Sequence, residues 1–313
     1  MLKSSTITPL ISLLFIPIPM MLAQPASSSL ASNDQLNSIP NATIRKLNLP
    51  QRSVNAIGGD EFVKQVIGLS LADREKAVAQ EILSGNVPSF SLQLEPVQVT
   101  EVVDGKRYEC LFYVAQDYMA IGSEEDYLYI PMTPLTAQYL ANQLDCSLPT
   151  AKMVDIIYKQ AAVQLAPQPI PPSDSMTTNP VFKEHTDSIR QQMLQMRLDR
   201  LAHPFMAGHK KDIIISNKIY PADRTLGRVV IYGWHLGEDR PIQPVYNGHH
   251  ERYADYSHGT RLIAQRAFLN GDPVRVDTIL KDRKLSVLLS NEGVIPRPVY
   301  PEYDIFTTTE KRD

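Results

Sequence analysis

The spacing of apolar and polar residues changes period several times along the chain, and each change predicts an element. "SLADREKAVAQEILSG" (70–85) repeats its apolar positions at helical spacing. Ser70 stands where a helix starts, Asp73 follows three residues on, and Gly85 stands where it ends. "LEPVQVTEVVDGKRYECLFYVAQDYMAIG" (94–122) alternates instead, with β-branched and aromatic residues on both sides of Asp104-Gly105. That dipeptide suits a type I′ turn, so the stretch predicts a β-hairpin. A short strand, "YLYIPM", follows. Thr133-Pro134 opens a helix running to about Gln143, and Thr150 opens another over "AKMVDIIYKQAA".

"LAPQPIPPSDSMTTNP" (165–180) carries five prolines in sixteen residues, which forbids a regular element. It reads as a domain boundary or as a long arm laid across one domain. "DSIRQQMLQMRLDRL" then has one polar face and one Ile/Met/Leu face, the pattern of a helix packed on a core. Beyond it the chain reads as mostly β. "DIIIS" and "RVVIYGW" have the composition of buried strands, "GTRLIAQRAFLNGDPV" that of a hairpin turning at Asn270-Gly271, and "KLSVLLSNEGVIP" closes the regular part.

The expected class is α+β. A mixed α/β region over 51–165 with a helical pair and a hairpin is followed by a proline-rich connector at 166–186. A β-rich region at 187–313 then carries the site. Ahead of these, residues 1–23 have the form of a signal peptide. Lys3 supplies the charged start, Ile7 to Leu22 is apolar apart from Thr8 and Ser12, and Ala23 or Ala26 offers a cleavage point. Pro9, Pro17 and Pro19 interrupt that run, which argues against a stable membrane span. Residues 24–50, rich in Ser, Asn and Pro, read as a flexible leader. The expectation is therefore a secreted or periplasmic protein without a stable span once the signal is removed.

An apolar fraction of 43% is enough for a substantial core, and a net charge of −3 gives no field that would gather nucleic acid or an anionic membrane. In an oxidising compartment the two cysteines, Cys110 and Cys146, form either one disulfide or two separate buried thiols. Asn41-Ala42-Thr43 is a glycosylation sequon that matters only if the source glycosylates its exports.

Chemistry concentrates late in the chain. Five of the seven histidines fall between His209 and His258. They belong to three polar clusters at the ends of apolar runs: "AGHKKD" (207–212), "YGWH" (232–235) and "HHERYADYSHG" (249–259). Strand ends present side chains on a rigid frame, and imidazole can take and return a proton near neutral pH. His258 or His235 is the expected acid/base group, with Asp255 orienting it. Ser257 and His209 are further catalytic candidates. Lys211 and Arg261 would hold an anionic group, with Tyr256 and Trp234 lining the substrate side. Ser257 and His258 are adjacent, so on a strand they point to opposite faces and do not form a dyad. A zinc site would need three histidines, or two with Asp255, around one point, and no spacing typical of such sites is present.

Three resemblances follow from these motifs. "YSHGTRL" (256–262), with "VVIYGWH" upstream, resembles the Ser-His-Gly-Cys-Ile/Val-Arg signature of L,D-transpeptidases, a β-rich fold that cross-links peptidoglycan. The likeness covers about thirty residues, and Ser257, His258, Gly259 and Arg261 match in type. Thr260 stands at the position of the family's nucleophilic cysteine, so the family's thiolate chemistry does not carry over. "DCSLPTAKMVDIIYKQA" (145–161) resembles the Asp-Cys-Ser that opens the catalytic helix of NlpC/P60-type cysteine peptidases. Leu148-Pro149 departs from that pattern, and a helix starting at Thr150 leaves Cys146 outside its first turn. The chain as a whole is similar to uncharacterised secreted proteins with "AGHKKD", "YGWH" and "DYSHG" in this order, a similarity that implies no activity.

The functional expectation is a secreted hydrolase or transferase acting on an extracellular or cell-envelope polymer, or on a small-molecule substrate, and not on nucleic acid. The alternatives are a non-catalytic exported binding or structural protein and a zinc-dependent hydrolase. Convergence of His209, His235 and His258 in one pocket would favour the enzyme, and separation would favour the non-catalytic protein.

Overall fold

Asp104 and Gly105 both take left-handed φ angles, +50° and +74°, and turn the chain between β1 (Leu94–Val103) and β2 (Lys106–Ala115). Val103 pairs with Lys106, the register a two-residue I′ turn imposes. This hairpin is the spine of the protein. The computed structural model describes residues 45–198, 203–223, 227–238, 240–302 and 305. The expected signal peptide, most of the leader and the Asn41 sequon lie outside the described residues.

Two helices precede the hairpin, α1 (Gly59–Val66) and α2 (Leu71–Leu83). Ser70 caps α2 by accepting from the Asp73 amide, as its spacing predicts. After the hairpin come β3 (Ala120–Gly122), β4 (Tyr127–Tyr129), α3 (Pro134–Gln143), β5 (Cys146–Ser147) and α4 (Ala151–Gln160). Thr133 and Thr150 are the N-caps of α3 and α4. The chain continues through β6 (Val163–Gln164), α5 (Asn179–Gln195), β7 (Met206–Ala207), β8 (Lys211–Ile213), β9 (Ile231–His235) and β10 (Pro241–Tyr246). It ends with β11 (His258–Gly259), β12 (Ile263–Ala264), β13 (Arg266–Leu269), β14 (Asp272–Arg275), α6 (Val276–Lys281) and α7 (Ser286–Leu289). The class is α+β.

The larger sheet draws on both halves of the chain. β1 lies along one edge of β2, while β12 and then β13 fill the other, followed outward by β5 and β14. The second sheet runs β10-β9-β8-β11, and only its β8–β11 pair is parallel. From Arg45 onward the described residues form one compact unit. The proline-rich segment is laid along it: the Tyr256 hydroxyl meets both the amide and the carbonyl of Ile170, and the Tyr256 amide donates to the Met176 carbonyl.

Two expectations change. The helix expected at 187–201 starts at Asn179, inside the expected connector, and ends at Gln195. Pro180 sits in its first turn, where a missing amide hydrogen costs nothing, so that proline starts the helix rather than prolonging the arm. The C-terminal stretch holds two short helices, α6 and α7, where β structure was expected. Val276, Ile279 and Leu280 of α6 are buried, so packing on the core decides a segment too short for a clear period. Of the two alternatives for the cysteines, the structure has separate buried thiols at Cys110 and Cys146. One is in β2 and the other in β5, with β12 between those strands, and burial pushes both thiols up to about 12.

No helix among the described residues is long and apolar enough to cross a membrane.

Candidate functional site

The three polar clusters come together at one seam. Between His258 and Ala264 the chain leaves β11 in the smaller sheet and enters β12 in the larger one. His258 pairs with Lys211 across the parallel β8–β11 ladder, and Gly259 pairs with Asp212. Strand alternation then sorts the side chains into two groups. Lys211 and His258 face one way. Lys210, Asp212 and Arg261 face the other, into the protein. A Cβ on Gly259 would stand 2.6 Å from the Tyr118 ring and 2.7 Å from Lys210 Cβ, so the close approach at the seam requires glycine.

The inner group is dense with charge. Arg261 is fully buried and spends its two terminal nitrogens on backbone carbonyls, Ala115 at 2.8 Å and Met206 at 2.7 Å. Its guanidinium lies 4.1 Å from the centre of the Tyr118 ring. The Tyr118 hydroxyl donates to Asp212 Oδ2 at 2.8 Å. Burial raises Asp212 to about 6, against the pull of Arg261 and that hydroxyl. Asp117 accepts from the Tyr129 hydroxyl at 2.5 Å, bonds His203 Nε2 at 2.8 Å, and lies 3.2 Å from His209 Nε2. The His209 contact is short enough for an ion pair but misaligned for a hydrogen bond, which leaves both His209 ring nitrogens without one. Burial works to raise Asp117, but His209 and His203 outweigh it and hold its carboxyl below the usual range. Lys210 is buried too, donating to the Tyr256 carbonyl at 2.7 Å and lying 3.0 Å from His185 Nδ1. Burial lowers its amine to about 7.

The outer group is smaller. Asp255 Oδ1 accepts from the Ser257 amide at 2.8 Å and from the Ser257 hydroxyl at 2.6 Å. Asp255 Oδ2 accepts from the Tyr253 hydroxyl at 3.3 Å and faces His258 Nε2 at 3.8 Å. Among the described residues neither ring nitrogen of His258 has a hydrogen-bond partner. Burial lowers His258 to about 4, so it is a neutral imidazole at neutral pH, while Asp255 remains a carboxylate. Lys211 lies 4.7 Å from the Trp234 ring, its pKa lowered by burial. Trp234 itself sits at φ +57°, after Gly233 at +109°. These two left-handed residues break the alternation of β9, a kind of backbone strain that collects at functional sites. His249 stacks on Tyr253 with ring centres 3.9 Å apart.

The expected site residues thus divide. His258, Asp255, Ser257, Lys211 and Trp234 share the outer group. His235 stands apart, 3.0 Å from Asp155 Oδ1 and stacked on Tyr158. His209 belongs to the inner group. The three histidines do not converge: His209 lies beside Asp117, His235 beside Asp155 and His258 beside Asp255. The two terminal nitrogens of Arg261 are taken by backbone carbonyls and the Tyr256 hydroxyl by Ile170, while Arg261 Nε has no hydrogen-bond partner among the described residues. Among the described residues no group of three or more His, Cys, Asp or Glu side chains could hold a metal ion. Sequence reasoning missed Asp117, Tyr129, Asp155 and His203. Asp117 left one trace, an acidic residue interrupting a strand-like run, and the others left none.

Compared with protein-family models, with curated proteins and with solved structures, the chain matches none.

Proposed function

We propose that this protein is an exported hydrolase or group transferase in which His258 is the acid/base group, and that it acts on an extracellular or cell-envelope polymer. One observation carries the reading: a fully buried imidazole with both nitrogens unpartnered among the described residues, facing a carboxylate whose other oxygen is saturated. Such a group costs roughly 1–3 kcal/mol in a folded protein and persists where something else uses it.

Neutral His258 takes a proton from an attacking water or hydroxyl. Asp255, 3.8 Å away, stabilises the imidazolium that forms, and the proton passes on to the leaving group. Lys211 supplies positive charge to a developing oxyanion. Ser257 donates its hydroxyl to Asp255 and not to an imidazole, which makes it a positioning residue rather than the nucleophile. Neither cysteine supplies a thiolate, since both are buried with pKa near 12. The export half of the reading rests on residues 1–23.

The separation of His209, His235 and His258 favours a second reading, a non-catalytic exported binding or structural protein. Screening wild type and His258→Gln on purified cell-wall and polysaccharide substrates decides between them. On a substrate the protein turns over, the variant should lose roughly 10²–10⁴-fold. Equal rates would remove His258 from the role, and no turnover on any substrate supports the non-catalytic reading.

A further inference from the structure

A cleft of about 430 Å³ opens beside the end of α5, a volume suited to a small molecule. Met193, Leu194 and Leu198 give it an aliphatic wall, and Leu194 is 48% exposed, so that wall is apolar surface open to water. His203 lines the same cleft. Among the described residues its charged lining is one guanidinium, Arg190, and two carboxylates, Glu124 and Glu125, a net negative charge. All three are tied to backbone or loop: Glu124 accepts from the Ser89 amide, Glu125 from the Ser123 hydroxyl, and Arg190 donates to the Glu125 carbonyl.

His203 is held from three sides. Its ring stacks on Phe90 with centres 3.9 Å apart, its carbonyl accepts from Gln116 Nε2 at 2.7 Å, and its own Nε2 lies 2.8 Å from Asp117 Oδ2. Asp117 is fixed in turn by the Tyr118 amide at 2.7 Å and the Tyr129 hydroxyl at 2.5 Å. An ionised carboxylate only accepts, so in the neutral imidazole Nε2 carries the proton and Nδ1 the lone pair. Nδ1 has no hydrogen-bond partner among the described residues and, unlike the ring nitrogens of His209 and His258, is not sealed from solvent. A pair that only tied this segment to the core would show the same Nε2 contact. The open nitrogen beside an apolar wall adds a use, because a carboxylate behind an imidazole orients a general base.

We infer that this cleft hydrolyses carboxylic esters with a short aliphatic acyl group, with His203 as the general base and Asp117 as its positioning residue. The acyl chain lies on Met193, Leu194 and Leu198. His203 Nδ1 takes a proton from water, the water oxygen bonds to the carbonyl carbon, and the bond from that carbon to the alcohol oxygen breaks. The alcohol oxygen takes the proton back from Nδ1, which leaves an acid, an alcohol and a neutral imidazole. The net negative lining favours a neutral ester over a free acid and helps the acid product leave once it ionises. No residue of the outer group lines this cleft, so the site does not depend on chemistry at His258.

Hydrolysis of p-nitrophenyl butyrate by the full-length protein, read as released nitrophenolate, tests the inference. Wild type should exceed the buffer rate, and His203→Gln should lose roughly 10²–10⁴-fold in kcat. The acetate ester, shorter by two methylenes, should have a kcat/KM about tenfold lower. Leu194→Asp, a surface change, should raise KM for the butyrate about tenfold with kcat close to wild type. Asp117→Asn should lower kcat with KM unchanged, where mere loosening of the cleft would raise KM as well. No hydrolysis above buffer, wild-type kcat in His203→Gln, acetate turned over as well as butyrate, or loss of the activity in His258→Gln instead of His203→Gln would overturn the inference. If His203→Gln does not fold, an unchanged KM in Leu194→Asp overturns it alone.

Discussion

Asp255 Oδ2 stands 3.8 Å from His258 Nε2, near enough for charge to act and too far for a hydrogen bond. The carboxylate therefore tunes the imidazole without occupying it. Burial lowers His258 and Asp255 pulls it back up. Asp255→Asn should lower the imidazole pKa further, below its present value of about 4. Histidine NMR titration of wild type and variant reads this directly. A rise in the variant would show that Asp255 is not the dominant charge at this ring.

The buried histidines should make the protein acid-labile. Burial depresses His185, His209 and His258, so between about 6.5 and 4 the unfolded chain binds protons that the folded chain refuses. Stability is then full above the unfolded value and falls as pH drops through that window. Urea midpoints measured from pH 7 to pH 4 should decline, and His258→Gln should decline less steeply than wild type. A flat profile would mean that these rings gain partners or water that the fold does not show.

Lys210 should give the opposite flank a slope of the same sign. Its amine is lowered to about 7 from 10.5, again by burial. Between about 7 and 10.5 the unfolded chain carries a proton that the folded chain lacks, so this amine makes stability rise with pH, by at most ~1.4 kcal/mol per unit. Above about 10 the buried tyrosines Tyr118 and Tyr129, held protonated by burial, oppose the trend. Lys210→Met should remove the rise, and an unchanged slope in the variant would assign it to other groups.

Gly259→Ala should destabilise by roughly 1–3 kcal/mol, because its methyl group meets Tyr118 at 2.6 Å and the Lys210 stem at 2.7 Å. Gly271→Ala serves as the control. It has a left-handed φ of +90° but no neighbour within 4 Å, so it carries backbone strain alone. Thermal melts of the two variants compare crowding with strain, and an equal drop would show that the seam at residue 259 can relax.

Much of the local structure was determined by the sequence itself. Ser70, Thr133 and Thr150 cap the helices their spacing announces, and Asp104-Gly105 and Asn270-Gly271 turn the two hairpins. These are short-range effects, set by side chains within three or four residues of the backbone they satisfy. The gathering of "AGHKKD" and "DYSHG" was legible only as a possibility. Tertiary structure decided it by pairing Lys211 with His258 in a parallel ladder between strands some forty-five residues apart. Tertiary structure also separated His209, His235 and His258, giving them Asp117, Asp155 and Asp255 as partners. Which carboxylate reaches which imidazole depends on how sheets and helices pack, and no periodicity along the chain records that.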